Sequence, residues 1–484
     1  MRRFSGKQHV LLALLLLVCI IPAIGQETTG TVIGRVTDPS GAAVPNCQVE
    51  LSGGTLSKGV VVTTSVSGEY KFSSIPPGTG YKIRATATGF RTAGNTNVAV
   101  AIGTATSLDI RLEVGQATDA VSVSADAIMV DTGSSSSAVT VDKSFFDILP
   151  KGRSFYDLIG IAPGARNEGL TGGVQVDGAS GAENTFFING MEMESIQGGQ
   201  LGGQNQVPTE MIQQVEVKNG IMEAQYGGAM GGVVNAVMRS GSNEVHGEAG
   251  FYWGGDVLTA RPRPLLELDP LNDSNMKYAQ FAKDGYNDWN PVFTLSAPIW
   301  KNKLFVFAGY MPQLNYTDRT VNFTTGQTGT YHSEFKQEFI NGRLDYIPVS
   351  KIRANMSWIF NPNKTVGGLP SQAGTDSYTN NWSTQGSFTG GNTLAGQFDY
   401  LATSKLILSF RGGYNYNNSN NLYATPTTTA IYYSGASTTV PPPSLQAPNG
   451  WINQAIAANT YDVNTRNNYA ADASYVVNWP GSTP

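Results

Sequence analysis

In Lys351-Ile-Arg-Ala-Asn-Met-Ser-Trp358, charged or polar residues take every odd position and apolar residues every even one. Only an extended strand, whose side chains point alternately to opposite faces, sorts such a sequence into one wet and one greasy side. The preceding run repeats the pattern, with Asn341, Arg343 and Asp345 against Ile340, Leu344 and Tyr346, and Pro348-Val-Ser350 is a short turn between the two. From Lys405 to Tyr416, Leu406, Leu408, Phe410, Tyr414 and Tyr416 oppose Ser409, Arg411 and Asn415. One apolar face with aromatics near the strand ends, one charged face and short turns are what a lipid-facing, water-lined barrel needs. A soluble sandwich also alternates, but rarely turns Tyr, Phe and Trp outward at both ends. The last strand-like run is Tyr469 to Trp479.

The start of the sequence reads as an export signal. Arg2, Arg3 and Lys7 precede an apolar run of 12 residues, Val10 to Ile21, which is too short to span a bilayer as a helix. Pro22 ends it, and Ala23-Ile24-Gly25 has the form of a cleavage site. Removing residues 1–25 leaves 28 basic against 36 acidic residues, a balance that argues against nucleic-acid binding. Cys47 is then alone, so an intrachain disulfide is excluded. Charged residues make up 14% of the total, well below the ~25% of soluble domains. Low charge, abundant Gly and aromatics, and no apolar run of helix-spanning length after the signal agree with a barrel.

Residues 27–114 carry short strand-like runs with turn signals between them: Val32–Thr37 before Asp38-Pro-Ser-Gly41, then Val44–Leu51, Glu69–Phe72, Ile75-Pro-Pro-Gly78 and Tyr81–Ala85. Such spacing predicts a β-sandwich. The succession of motifs G-x-V-x-D-x-x-G, V-P-x-x-x-V, G-x-Y-x-F, I-P-P-G and G-F resembles the carboxypeptidase regulatory-like domain, grouped with carbohydrate-binding-like folds. The resemblance implies no peptidase activity. Tyr70, Phe72, Tyr81 and Phe90 are expected to pack the core rather than form a sugar platform.

Residues 132–240 mix two short helices, at Phe145–Leu149 and Ser154–Ile159, with strands at Val174–Asp177 and Phe186–Gly190. They end on Ile212-Gln-Gln-Val-Glu-Val-Lys-Asn-Gly220, Tyr226-Gly-Gly-Ala-Met-Gly-Gly-Val-Val-Asn235 and a strand at Val245–Trp253. This order resembles the end of the plug domain of TonB-dependent outer-membrane receptors, where "I-x-x-V-E-V-x-x-G … Y-G … G-G-V-I-N" runs into the first barrel strand. Residues 290–310, with the Lys301-Asn-Lys303 turn, resemble an early hairpin of the Oar-like receptors. The expected fold class is mainly β: a β-sandwich, an α+β plug, then a partial transmembrane antiparallel β-barrel over 241–484. Long polar stretches at 254–289, 361–390 and 417–450 are expected as extracellular loops.

The linker, residues 115–131, contains Asp119, Ala120, Val121, Ser122, Val123, Ser124 and Ala125. Its alternation and its place ahead of the plug make it resemble a TonB box, which adds as a strand to TonB through backbone groups. Within the Gly-, Gln- and Asn-rich part of the plug, Arg166, Asn167, Glu168, Glu192, Glu194, Gln197 and Gln200 are the candidates to meet ligand. No HExxH, CxxC, P-loop or GxSxG pattern is present, so no catalytic, cofactor or metal residues are assigned and no enzyme is expected. His246 and Glu248 share one strand face and are expected to line the lumen. Asp269, Asp273, Asp284 and Asp288 make an acidic loop without EF-hand spacing.

The resemblance implies a receptor of the outer membrane, with the sandwich in the periplasm, that takes up a ligand (siderophore, oligosaccharide or peptide) with energy from TonB and its inner-membrane complex. Its partners would be TonB, outer-membrane lipid and a small ligand, carbohydrate among the candidates, with no nucleic acid. A non-transporting surface or adhesion protein on the same scaffold is the alternative. Receptors of this kind have 22 strands, whereas residues 241–484 allow roughly 10 at about 10 residues per strand plus loops. A C-terminally truncated fragment forming an open half-barrel is therefore expected.

Overall fold

A computed structural model describes residues 28–56, 58–115, 121–123, 137–146, 148, 152–168, 173–195, 199–220, 226–269, 272–374, 376, 382–403, 406–422 and 460–475. The signal-like segment lies outside these residues.

The first strands are β1 (Gly30–Thr37), β2 (Gln48–Gly53), β3 (Val60–Thr63), β4 (Glu69–Ile75), β5 (Gly78–Thr86), β6 (Ala93–Val100), β7 (Ala105–Ser107) and β8 (Ile110–Arg111). They form two sheets, one built on β4, β1, β7 and β8, the other on β3, β2, β5 and β6. Alternate residues point into a shared core, where Val32, Leu51, Phe72, Ile75 and Tyr81 are buried. Each such side chain contributes roughly 1.5–3 kcal/mol through removal from water. Tyr70 joins that core and Phe90 packs against it, as expected. Cys47 is a free, buried thiol within it. The strand expected at Val44–Leu51 starts only at Gln48, because Asn46 adopts a left-handed φ of 56° and turns the backbone.

A short strand, β9 (Val121–Val123), pairs in parallel with β6, extending that sheet to five strands. The sequence suggests a segment separate from both flanking domains. Instead its backbone is added to the edge of the sandwich.

The plug follows with β10 (Ser137–Asp142), the single helical turn α1 (Lys143–Phe146), β11 (Ala165–Asn167), β12 (Val174–Val176), β13 (Thr185–Ile188), β14 (Met191–Glu192), β15 (Ile212–Asn219) and β16 (Gly232–Met238). Its sheet runs β10-β15-β16-β13-β14. The second expected helix is a 3₁₀ turn, Phe155–Ile161, started by a capping box in which Ser154 accepts from the Tyr156 amide and Asp157 reaches back to the Ser154 amide. Strand β16 is buried along its whole length, so Val233, Val234, Ala236 and Val237 stand on both faces, around Asn235, without alternation.

The remaining strands are β17 (His246–Gly255), β18 (Leu265–Asp269), β19 (Asn272–Ala279), β20 (Gly285–Trp300), β21 (Leu304–Asn322), β22 (Thr328–Tyr346), β23 (Ile352–Phe360), β24 (Asn363–Val366), β25 (Gly386–Leu401), β26 (Leu406–Leu422) and β27 (Thr460–Tyr475). All except the β18–β19 hairpin form one nine-stranded sheet, in the order β17-β20-β21-β22-β23-β25-β26-β27 with β24 against β22 and β25. Strands β17 and β27 are its two ends and do not pair with each other among the described residues. The expected loops are shorter than the sequence suggests: β18–β19 occupies part of 254–289, β24 part of 361–390, and β26 continues to Leu422. β24 and the end of β26 are made mostly of polar residues, so no apolar alternation marks them.

Cross-strand register establishes which face is which. Trp358 lies beside Leu394, Leu394 beside Tyr414, and Phe398 beside Phe410. These side chains are exposed on the outside of the sheet. Arg343, Ser357, Gln397 and Asn415 are buried on the inside. There the wall residues Val292, Phe307, Met311, Phe339 and Ile359 share one core with plug residues Ile212, Val215, Val217 and Val234. The plug is thus packed onto the concave face by apolar contact, while the convex face keeps Phe and Trp in the open.

Candidate functional site

The plug turns one irregular edge toward the interior of the sheet. Strands β11 and β12 pair as a hairpin with Arg166 opposite Gln175. The Arg166 Nε donates to Gln175 Oε1 at 2.6 Å, and both Arg166 and Asn167 are exposed. These two keep polar surface open to solvent. Glu168 does not, because its Oε2 accepts from the Gly181 amide at 2.8 Å and from Ser180 Oγ at 3.1 Å. It holds the turn at residues 180–183 in place. The backbone carbonyl of Gln200 accepts from the Ser195 amide at 2.8 Å, and Gln197 lies outside the described residues.

Glu192 and Glu194 meet a partner that sequence reasoning missed. Arg466 on β27 places its Nη1 3.2 Å from Glu192 and 3.8 Å from Glu194. Glu194 also accepts from the Phe186 amide at 3.2 Å. Burial, then the adjacent Glu192 carboxylate, pushes the Glu194 carboxyl up to about 8. These three residues tie the plug edge to the barrel wall. Glu194 and Arg466 line a cavity of about 20 Å³ together with Asn415 and Asn417, room for about one water. An expected last strand beginning at Tyr469 puts Arg466 in a loop. The strand begins at Thr460, and period-2 counting through Asn464 and Arg466 is the signal that finds it.

Further ion pairs fasten the other side of the plug. Glu248, on the inner face with His246, lies 3.0 Å from Arg239 and 3.5 Å from Lys143. Arg343 pairs with Asp345 at 2.9 Å and donates to the Met238 carbonyl at 3.1 Å. In the acidic loop, Arg319 takes Asp284 in a two-pronged contact at 2.7 and 3.0 Å. No cluster of three metal-ligating side chains occurs among the described residues. Of the candidate TonB box, Val121–Val123 form β9, while Asp119, Ala120, Ser124 and Ala125 lie outside the described residues.

Residues 31–113 match the carboxypeptidase regulatory-like domain, and residues 129–233 match the TonB-dependent receptor plug domain. The chain thus carries a sandwich similar to the first kind leading into a plug similar to the second, with the plug packed on a two-faced antiparallel sheet. The TonB-dependent transporter Oar of Myxococcus xanthus is 27% identical over 334 residues, 66% of this chain and 30% of that protein. The probable TonB-dependent siderophore receptor PirA of Acinetobacter baumannii is 32% identical over 145 residues, 30% of this chain and 16% of that one. The alignments thus span less than a third of either relative. Among solved structures, PirA aligns with a TM-score of 0.44 at 17% identity, over 69% of this chain and 44% of that one. The Escherichia coli outer-membrane transporter YddB aligns with a TM-score of 0.47 at 13% identity, over 69% and 45%.

Proposed function

We propose that the protein serves energised uptake of a small ligand across the outer membrane. The observation that carries this reading is the shared core of plug and inner wall beneath a convex face of exposed aromatics. A plug so placed obstructs a lumen, and an obstruction held by a few ion pairs can be moved by a pull. Arg166 and Asn167 would receive ligand, and Glu192, Glu194 and Arg466 would sense displacement of the plug edge. Siderophore, oligosaccharide and peptide are the ligand classes to test. The relatives' names favour a siderophore only so far as PirA goes.

TonB is the proposed partner, and Asp119–Ala125 its docking strand. Backbone pairing suffices for such docking, so Val121→Pro, which removes a donor, should act like deletion of the segment. Binding of a purified TonB C-terminal domain to the intact protein, measured by biolayer interferometry, should fall at least tenfold in either variant. Equal binding with the segment deleted would show that the docking strand lies elsewhere.

A further inference from the structure

The sandwich does not hang free of the sheet. The end of its β4 and the β4–β5 turn reach the lower rim of the plug and barrel, and the contacts there are specific. Arg353 on β23 is partly buried and donates to the carbonyl oxygen of Ser74, with the Ser73 carbonyl 3.5 Å away. Its register partner across the sheet is Asp399, whose two carboxylate oxygens accept from Gln397 Nε2 at 3.1 and 3.0 Å. Gln397 in turn accepts from Thr28 Oγ1 at 2.6 Å. On the plug side, the Ile102 amide donates to Gln214 Oε1 at 2.9 Å. Sandwich residues Thr28, Ser74, Pro76 and Pro77, plug residue Gln213 and wall residue Arg353 enclose a common cavity of about 50 Å³.

Ser74 is the telling residue. Its φ is 54°, a left-handed conformation that a serine adopts only at a cost. The distortion coincides with a register break between β1 and β4 and turns the Ser73 and Ser74 carbonyls toward the guanidinium. A guanidinium drawn out of water without carbonyls or carboxylates around it would be heavily penalised. The end of β4 and Arg353 therefore complete one another.

We propose that the end of β4 and the β4–β5 turn of the sandwich form a built-in stop that covers the underside of the plug, with Arg353 as the clamp that holds it. Its purpose rests on the transport reading above: a plug drawn toward the periplasm meets the sandwich first, so the sandwich must undock before the plug can move. Its geometry does not depend on that reading.

The test uses the whole protein in detergent, without ligand or TonB, so its failure and the failure of the transport reading stay separate. Arg353→Ala should raise amide hydrogen exchange at Ser73, Ser74 and Gly78 at least tenfold and leave β2 and β15 unchanged. With Gln213→Cys added, a membrane-impermeant maleimide should label position 213 at least tenfold faster in that background than with Arg353 present. Arg353→Lys and Thr28→Val should give intermediate rates, and they carry the test if Arg353→Ala loses the heat-modifiable gel shift of a folded barrel. Exchange and labelling rates in these variants equal to those of the unaltered protein would overturn the proposal.

Discussion

Phe410 and Thr320 point to the same outer face of the sheet at different heights. Phe410 sits in the middle of the apolar run between Leu406 and Tyr416, in register with Phe398 and Ala471. Thr320 stands above the band, beyond Asp318 and opposite Thr330. Phe410→Arg should cost roughly 2–4 kcal/mol near the bilayer midplane, and Thr320→Arg about 0–1. Urea unfolding in lipid vesicles measures both, and equal costs would mean that this face does not meet lipid. Alternation alone would name Ser409 as a tolerant lumen position. The structure buries it, with Asp399 and Asp472 as its cross-strand neighbours. Glu194 supplies a pH prediction. Its carboxyl holds a proton more tightly in the folded protein, up to about 8, than in the unfolded one. Between the ordinary carboxylate range and pH 8 the folded state therefore binds more protons, and stability falls as pH rises through that window. Glu194→Gln should remove the slope, worth on the order of 1–3 kcal/mol, in thermal melts between pH 5 and 9. A slope that persists would move the effect to other groups.

At the scale of elements, strands with two distinct environments are the legible ones. Lys351–Trp358 and Lys405–Tyr416 alternate because one side turns inward, toward the plug, and the other is an exposed apolar face, so period 2 survives in their letters. Mostly polar, the end of β26 and the whole of β24 carry no such signal. The 3₁₀ turn at Phe155–Ile161 can be located from its apolar side but not distinguished from an α-helix. Its capping box is visible as Ser154 and Asp157 three residues apart. Ser154→Ala should cost about 1 kcal/mol, seen as faster hydrogen exchange over 155–161 with the barrel unaffected; unchanged exchange would mean the cap is idle. The pairing of β9 with β6 is not legible in the sequence. Three small residues give an edge strand no side-chain preference for one partner over another, and only proximity decides. The same holds for the clamp at Arg353: its strand position is visible, while the Ser74 carbonyl it meets, 279 positions away in sequence, is not.

At the scale of the molecule, a sandwich lies below, a plug inside, and around the plug a sheet whose outer face is apolar. Among the described residues β17 and β27 are the two ends of the sheet and do not pair, and the plug packs on its concave face through a common core. That core explains how the plug stays in place although only residues 239–245 run from its last strand into the first wall strand. The ion pairs and hydrogen bonds at Arg466, Arg239 and Arg343 set its orientation. What such an arrangement is for can be measured directly. Cells carrying the protein are given radiolabelled ferric siderophores, oligosaccharides and peptides in turn, with and without a functional TonB. Accumulation of at least one class that disappears in the TonB-deficient strain, and also on deletion of Asp119–Ala125, is the expected result. Accumulation that is indifferent to TonB, or surface binding of a ligand that is never taken up, would contradict the account and favour a surface-binding role.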